Sequence, residues 1–259
     1  MLNILRLYVE SLKTIELLSH RPQATIMPFN FVDMWYTNAE QPQYMSAMNH
    51  THTKPEVGSK FHWLFLPGPK STTALYDKIV EETRNFAVLP TKGSLVPGWL
   101  LIVPKFPTPR MADVPQNMSN ELNDLLGRLT AKLENEFGTA YTFEHGGLKG
   151  SRVSCGVDQA HLHVAPLKFD LVNAAQSESP NGWFPVDPDR LLPTKAAGGE
   201  YWFASDGDSA ICKMIDRPQS QFFRKIIAKE SGNEELWDYR EEDFIENVAL
   251  TIDAMGANG

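Results

Sequence analysis

The segment from Cys155 to Pro166 constrains the fold of this 259-residue chain more than any other stretch. It places His161 and His163 two residues apart in a short apolar run that follows a glycine-containing turn. Side chains at i and i+2 of a strand point to the same face, so we expect both imidazoles, with Gln159, to project from one side of a sheet. Imidazole suits nucleophilic and acid–base chemistry near neutral pH, although histidines in a strand also serve structural roles.

Composition and net charge limit the kinds of molecule that the protein is expected to bind. The formal net charge is −8, so broad electrostatic attraction to extended nucleic acid or to an anionic membrane is not expected. A few local donors can still hold the phosphate of a small molecule. The chain has two cysteines, Cys155 and Cys212, and neither belongs to a Cys-x-x-Cys pair. The sequence therefore offers neither a disulfide framework nor a cysteine-based zinc site. Because it also has no signal-peptide core and no membrane span, we expect a cytoplasmic protein.

Hydrophobic periodicity predicts a mixture of strands and helices. Short apolar runs predict strands at 61–66, 85–90, 99–103, 141–145, 201–204 and 210–215. Helical spacing predicts helices at 72–84, 119–137, 220–229 and 242–254. Residues 20–60 and 172–199 show little periodicity and are expected to be irregular. Strands grouped around helices, with mostly antiparallel connections, indicate an α+β protein.

The helix that begins near Ser119 has the clearest pattern. Ser119 is a credible N-cap, and Gly138 is placed to end the helix. Apolar residues between them are three or four positions apart and form one stripe: Leu122, Leu125, Leu126, Leu129, Leu133 and Phe137. This spacing predicts a helix with one apolar face.

Two motifs resemble those of the histidine triad superfamily. The run Gln159-Ala-His161-Leu-His163-Val-Ala165, followed by Pro166, resembles the family signature His-φ-His-φ-His-φ-φ, where φ is apolar. The run Gly-Trp-Leu-Leu-Ile-Val-Pro-Lys at 98–105 is similar to the family strand Gly-His-x-Leu-φ-φ-Pro-Lys. Phe-Glu-His-Gly at 143–146 and the segments 220–224 and 237–240 resemble a bacterial-type subgroup with a C-terminal extension. The resemblance covers residues 61–170 well and 200–253 loosely.

The resemblance implies a fold and a division of the chain. It implies a sheet of the histidine triad type, α+β and antiparallel, with flanking helices and a C-terminal α/β extension. The corresponding parts are an N-terminal helix and irregular arm at 1–60, the catalytic domain at 61–170, and at 171–259 an extension packed on that domain. Members of the family often pair their sheets into dimers, so a homodimer is also suggested.

The resemblance also implies a chemistry. In this family the central histidine, here His161, attacks the α-phosphorus of a nucleotide and forms a nucleotidyl intermediate. The third histidine, here His163, lies beside the phosphate oxygens and donates to them. The backbone carbonyl at the first position, here Gln159, orients the central ring. The implied activity is that of a nucleotide hydrolase or nucleotidyl transferase, acting on a nucleotide conjugate or a dinucleoside polyphosphate without a metal or other cofactor.

Further residues are expected to complete the substrate site. Attack on phosphorus spreads negative charge over the equatorial oxygens, so donors are needed around them. Candidate donors are the Ser154 hydroxyl, main-chain N–H groups up to Gly156, and Lys149. His145 is the candidate for protonating the leaving group, Asn85 for contacting the ribose, and Gln159 for a further contact with the substrate.

Some of these candidates have structural alternatives. Asn85 is as well explained as a turn residue as by contact with the ribose. Glu144 and His145 are as well explained as a buried pair as by a role in the site. Gln221 and Arg224 are spaced to reach the pocket, but an ordinary helix surface is the favoured interpretation.

Two departures from the family pattern keep other functions open. Gln159 replaces the first histidine, and Pro107 stands where the family often has a histidine after Pro-Lys-x. These changes favour, as an alternative, a catalytically weak nucleotide-binding protein. A third hypothesis is metal-dependent hydrolysis through His145, His161 and His163, which sensitivity to a chelator would reveal.

Overall fold

One antiparallel sheet of eight strands organises the chain in a computed structural model that describes residues 60–68, 70, 74–148, 159–187, 198–217 and 219–257. The strands are β1 (Glu81–Glu82), β2 (Phe86–Pro90), β3 (Leu100–Pro104), β4 (Ala140–Gly146), β5 (Leu162–Pro166), β6 (Trp183–Val186), β7 (Glu200–Ser205) and β8 (Ala210–Ile215). Their order across the sheet is β1-β2-β3-β5-β4-β7-β8-β6, and every neighbouring pair is antiparallel. The expected α+β class with an antiparallel sheet is confirmed.

Four α-helices accompany the sheet in the described ranges. They are α1 (Ser119–Phe137), α2 (Leu171–Glu178), α3 (Phe222–Glu230) and α4 (Ile245–Ala254). Helix α1 buries the predicted leucine stripe and ends at Gly138, whose φ of +103° an L-residue rarely adopts. Ser119 is the first helical residue and not the N-cap as expected. Met118 holds that position, and no side chain caps the helix.

The sheet is covered on both faces, and the alternation of side chains decides which residues face which cover. In β5, Leu162 and Val164 belong to the apolar core that contains the leucines of α1. His163 lies between them in sequence and therefore points to the opposite face. In β3, Ile102 faces α1 and Leu101 faces the other side, where it packs near Phe61. The histidine face of the sheet is thus the one turned away from α1.

Two expected elements are replaced by other local structure, and packing explains both. Residues 61–66 do not form a strand, because His62–Phe65 is a 3₁₀ helix that buries Phe61 and Leu64, three positions apart. The helix expected at 72–84 is also wrong over its described part. A single 3₁₀ turn, Leu75–Asp77, is followed by extended backbone at Lys78, and the amide of Val80 then bonds to the carbonyl of Val88.

The region 172–199, expected to be irregular, contains regular structure in its described part. Helix α2 begins after Asp170, whose carboxylate accepts a hydrogen bond from the amide of Asn173. Strand β6 then pairs with β8 at the edge of the sheet. Strand β7 pairs with β4, so the sheet continues from the histidine strands into the C-terminal part of the chain. Within the described ranges, no helix combines the length and the apolar character needed to cross a bilayer.

Candidate functional site

A pocket lies on the histidine face of the sheet. Its empty volume is about 600 Å³, including the space open to solvent. The pocket walls include His161 and His163, with Phe143 and His145 from β4. The sheet register explains this grouping, because Phe143 is paired directly with His163 across β4 and β5. The expectation that the two imidazoles would lie together on one face agrees with this geometry.

Aromatic rings hold the two imidazoles in place. The ring centroids of His161 and His163 are 5.0 Å apart, and the rings are inclined by 71°. The ring of Phe143 stacks on His163, with centroids 4.7 Å apart and planes within 3° of parallel. The ring of Phe61 lies 5.9 Å from that of His161. Such contacts restrict the ring orientations before any ligand binds.

The hydrogen bond of His161 defines its tautomer. Nδ1 of His161 lies 2.8 Å from the main-chain carbonyl oxygen of Gln159. A carbonyl oxygen only accepts, so Nδ1 must carry the proton. In the neutral ring, Nε2 then keeps an unprotonated lone pair, which is the form a nucleophile requires.

The hydrogen bond of His163 imposes the opposite tautomer. The indole Nε1–H of Trp99 donates to Nδ1 of His163 over 3.0 Å. An indole nitrogen only donates, so Nδ1 of His163 must be unprotonated. The proton of the neutral ring is therefore on Nε2. The two neighbouring imidazoles thus present one acceptor nitrogen and one donor nitrogen.

Burial favours the uncharged forms of all three pocket histidines. Desolvation lowers the pKa of His161, although the hydrogen bond to the carbonyl of Gln159 opposes it. Desolvation holds the pKa of His163 well below its ordinary value, with a further contribution from His161. Desolvation likewise lowers the pKa of His145 to about 4, against the attraction of Glu200. All three rings are therefore neutral at pH 7.

His145 differs from the other two because its ring nitrogens are not engaged. Both are buried without a hydrogen-bond partner in the part of the chain that the structure describes. Its Nε2 is 3.9 Å from Oε2 of Glu200, which is also unbonded there. Glu144, the preceding residue, instead accepts hydrogen bonds from the amide of Met111 and the hydroxyl of Tyr201.

Three cations complete the wall of the pocket. Lys60 precedes the first 3₁₀ helix, Lys92 lies in the loop between β2 and β3, and Arg224 is in α3. Nε of Arg224 donates to the carbonyl of Trp237 over 2.9 Å, and Nη2 donates to that of Gly93 over 2.6 Å. The guanidinium carbon also lies 5.0 Å from the ring centroid of Trp99. No carboxylate lines this pocket among the residues described.

Two residues expected to contact substrate lie elsewhere. The Gln159 side chain is buried and bonds to the amide of Thr108 and to the carbonyls of Pro104 and Phe106. The Asn85 side chain donates to Glu121 at the start of α1. Neither side chain lines the pocket. The remaining expected donors, Lys149, Ser154 and Gly156, lie outside the described residues.

Several pocket residues were missed or given another role in the sequence analysis. Gln221 and Arg224 are not an ordinary helix surface, because they are 4% and 6% exposed and line the pocket. Lys60, Lys92 and Tyr239 also line the pocket and were not singled out. Trp99 was also missed; it is not part of the pocket wall but bonds to His163. Trp99 had a signal in the sequence, since it occupies the histidine position of the Gly-His strand motif. Tyr239 lies in the segment 237–240, which resembles the extension of the bacterial-type subgroup, whereas Lys60 and Lys92 had no signal.

Comparisons with known proteins add little to this geometry. No protein-family model matches the chain, and no curated protein matches it. One similar solved structure is that of a hypothetical histidine triad nucleotide-binding protein from Sulfolobus tokodaii strain 7. It is 18% identical, with a TM-score of 0.30, and the match covers 36% of this chain and 62% of that one. The chain therefore matches less than two thirds of that protein's length, and a likeness at this level carries no functional weight.

The described residues contain no group of three or more histidine, cysteine, aspartate or glutamate side chains arranged to hold a metal ion. The hypothesis of metal-dependent hydrolysis requires His145, His161 and His163 to bind one ion together. In the structure Nδ1 of His161 and Nδ1 of His163 are both used in hydrogen bonds to other residues.

Proposed function

We propose that the pocket binds a nucleotide and that His161 transfers its nucleotidyl group. The observation that carries this proposal is the opposite tautomers of two adjacent imidazoles, fixed by the carbonyl of Gln159 and the indole of Trp99. One ring offers a lone pair and its neighbour offers an N–H, which are the two functions needed for attack on a phosphate. This arrangement supports the chemistry that the resemblance to the histidine triad motifs implies.

The reaction proceeds in two steps. The Nε2 lone pair of His161 attacks the α-phosphorus, and the bond from phosphorus to the leaving group breaks with its electron pair going to the leaving group. His163 Nε2–H donates to an equatorial phosphate oxygen as negative charge develops there. Water or another acceptor then attacks the phosphorus of the intermediate and releases its proton to solvent, and the phosphorus–nitrogen bond breaks with its electron pair returning to Nε2 of His161. The products are a free nucleotide or a transferred nucleotidyl group.

Protonation of the leaving group is the step for which the pocket is least equipped. His145 lines the pocket, but burial lowers its pKa to about 4, so its ring is neutral at pH 7. A neutral imidazole is a much weaker acid than an imidazolium. Leaving groups that depart as stable anions are therefore the ones we expect to react fastest, with the neutral His145 ring donating a hydrogen bond to the leaving oxygen and not its proton.

Turnover of nucleotide substrates by wild type and by His161→Ala tests the proposal. A dinucleoside polyphosphate and a nucleoside phosphoramidate are incubated with each protein. The variant is expected to lose activity by at least about a thousandfold, because it lacks the imidazole whose Nε2 lone pair attacks the phosphorus. Mass spectrometry is expected to locate a nucleotidyl adduct on His161 in peptides prepared at neutral or alkaline pH, because acid hydrolyses the phosphorus–nitrogen bond. Equal turnover by both proteins would reject the proposal.

A catalytically weak nucleotide-binding protein is the second candidate. One observation favours it: the side chain at the first triad position is committed to three main-chain hydrogen bonds and offers no ionisable group. Calorimetric binding of a nucleoside monophosphate, with neither turnover nor adduct, would select this candidate over the first.

A further inference from the structure

We propose that Lys60, Lys92 and Arg224 form a second anion subsite in the histidine pocket, which binds a phosphate-bearing leaving group. This inference rests on the proposed function and narrows its substrate class. The substrate would be a nucleotide whose leaving group carries its own phosphates, such as a nucleoside polyphosphate. A nucleotide joined to an uncharged group would leave this subsite unused.

The surroundings of Lys60 provide the first support. Its Nζ lies 5.5 to 5.8 Å from the ring centroids of Phe61, Tyr76 and Tyr239. Within the described part of the chain, Nζ makes no hydrogen bond and no close ion pair. An ammonium group removed from water is unfavourable unless a partner compensates it. The aromatic faces compensate in part, and an anion in the pocket would complete the compensation.

The distribution of charge provides the second support. The whole chain carries a net charge of −8, whereas the described residues that line this pocket include three cations and no carboxylate. Asp243 pairs with Lys92 at 3.1 Å but is not part of the pocket wall. Burial is the main cause that lowers the pKa of Lys60; Asp77 and Asp243 oppose the shift, and Lys92 and Arg224 add to it by repelling the charged form. An anion bound among them would relieve this repulsion.

The position of the cations relative to the two imidazoles provides the third support. Lys60 adjoins Phe61, whose ring lies beside His161, and Arg224 lies over Trp99, which bonds to His163. The cations therefore flank the rings that would hold the attacked phosphorus, without replacing them. When the bond to the leaving group breaks, its electron pair adds negative charge to the leaving oxygen. Nearby cations stabilise that charge most as it forms.

Equilibrium binding of two probes to the full chain tests the subsite without relying on turnover. In a His161→Ala background, the affinities for inorganic tripolyphosphate and for AMP are measured by calorimetry. Lys60→Met is expected to weaken tripolyphosphate binding about 10- to 100-fold, as the loss of a charge-assisted contact would, and AMP binding by less than about threefold. Lys92→Met is a second, more exposed variant. Lys229→Met is the matched control, because Lys229 is exposed and pairs with Glu178 outside this pocket.

The outcomes separate this inference from the proposed function. Absence of tripolyphosphate binding overturns the subsite, as does unchanged affinity in both lysine variants with thermal unfolding like that of the parent. An equal loss for AMP and tripolyphosphate also overturns it, because the cations would then hold the attacked phosphate itself. Failure of the wild-type protein to turn over any nucleotide would reject the proposed reaction, but it would leave a selective loss of tripolyphosphate binding as support for the subsite.

Discussion

The chemistry of the site depends on single hydrogen bonds to single atoms, so its clearest test is at the residue scale. Trp99→Phe removes the donor to Nδ1 of His163 but keeps an aromatic ring beside Phe143. His163 can then change tautomer and turn its lone pair toward the phosphate. We expect kcat to fall about tenfold, the size of one neutral hydrogen bond, with a smaller change in KM. Steady-state kinetics on the substrate that wild type turns over fastest measures this effect.

A second tryptophan supplies the matched control. Trp202 is buried like Trp99, and neither residue lines the pocket, but Nε1 of Trp202 has no hydrogen-bond partner among the described residues. Trp202→Phe therefore removes similar volume and no hydrogen bond while keeping an aromatic ring beside His145, so kcat should be unchanged. Equal losses in the two variants would attribute the effect of Trp99 to packing and contradict a role in fixing the tautomer.

Residues that share a local pattern could be predicted from the sequence, and residues brought together by the fold could not. The spacing of His161 and His163 was sufficient to place both rings on one face. Lys60 and Arg224 are 164 positions apart, and the sequence around each of them gives no indication that both line one pocket. Gln159 shows a different limit, because its side-chain amide bonds to buried main-chain groups just before β5 instead of facing the pocket.

At the scale of elements, prediction succeeded where one periodicity was unambiguous. Strands β2, β3, β4, β7 and β8 and helix α1 lie within a few residues of their expected bounds. The apolar run at 61–66 fits a strand by composition, but burial of Phe61 and Leu64 requires a period of three. The region at 72–84 has helical spacing, yet its second half gains more from pairing with β2 along the sheet edge. Tertiary contacts decided both cases.

Two glycines give opposite predictions at this scale. Gly127 lies in α1, and a methyl group added to its Cα would have nothing within 4 Å, so Gly127→Ala should raise the unfolding free energy by about 0.5–1 kcal/mol. Gly146 ends β4, and a Cβ there would overlap the ring of Tyr201, which is fully buried. Gly146→Ala should destabilise the protein by about 1–3 kcal/mol or more, as overpacking does.

Urea unfolding followed by circular dichroism measures both changes. The two variants differ only in position, so each serves as the other's control for added side-chain volume. A destabilised Gly127→Ala protein would contradict the exposed helical environment of that residue. An unchanged Gly146→Ala protein would contradict the close approach of β4 and β7 at Tyr201.

At the scale of the whole molecule, the pocket is assembled from distant parts of the chain. Residue 60 precedes the sheet, the histidines lie at its centre, and Arg224 and Tyr239 follow its last strand. Arg224 joins these parts through its bonds to the carbonyls of Gly93 and Trp237. The amide of Gly98 likewise donates to the hydroxyl of Thr251 in α4. The C-terminal elements therefore complete the site as well as extend the sheet.

The unfolding free energy of the whole protein should depend on pH through one buried carboxyl group in this sheet. Glu144 is 2% exposed in β4, and burial raises its pKa to about 7, although Tyr201 and Met111 donate to it. The ordinary value is 4.5. Between pH 4.5 and pH 7 the folded protein keeps a proton that the unfolded chain releases. The unfolding free energy therefore falls as pH rises through this window, by about 3 kcal/mol in total from this group.

Glu144→Gln isolates this contribution, because an amide does not titrate. The variant loses an acceptor and should be less stable than wild type at pH 4.5, where the carboxyl of wild type is protonated in the folded state. As pH rises to 7.5, wild type should lose stability relative to the variant by about 3 kcal/mol. Urea unfolding at half-unit intervals measures the difference between the two proteins. The histidines, whose lowered pKa values destabilise the fold below pH 6.5, are common to both and cancel in that difference. Glu136→Gln, an exposed substitution in α1, is the control and should leave the pH dependence of wild type unchanged. A difference between Glu144→Gln and wild type that is constant with pH would mean that Glu144 is ionised in the folded protein throughout, and that its two donors outweigh its burial.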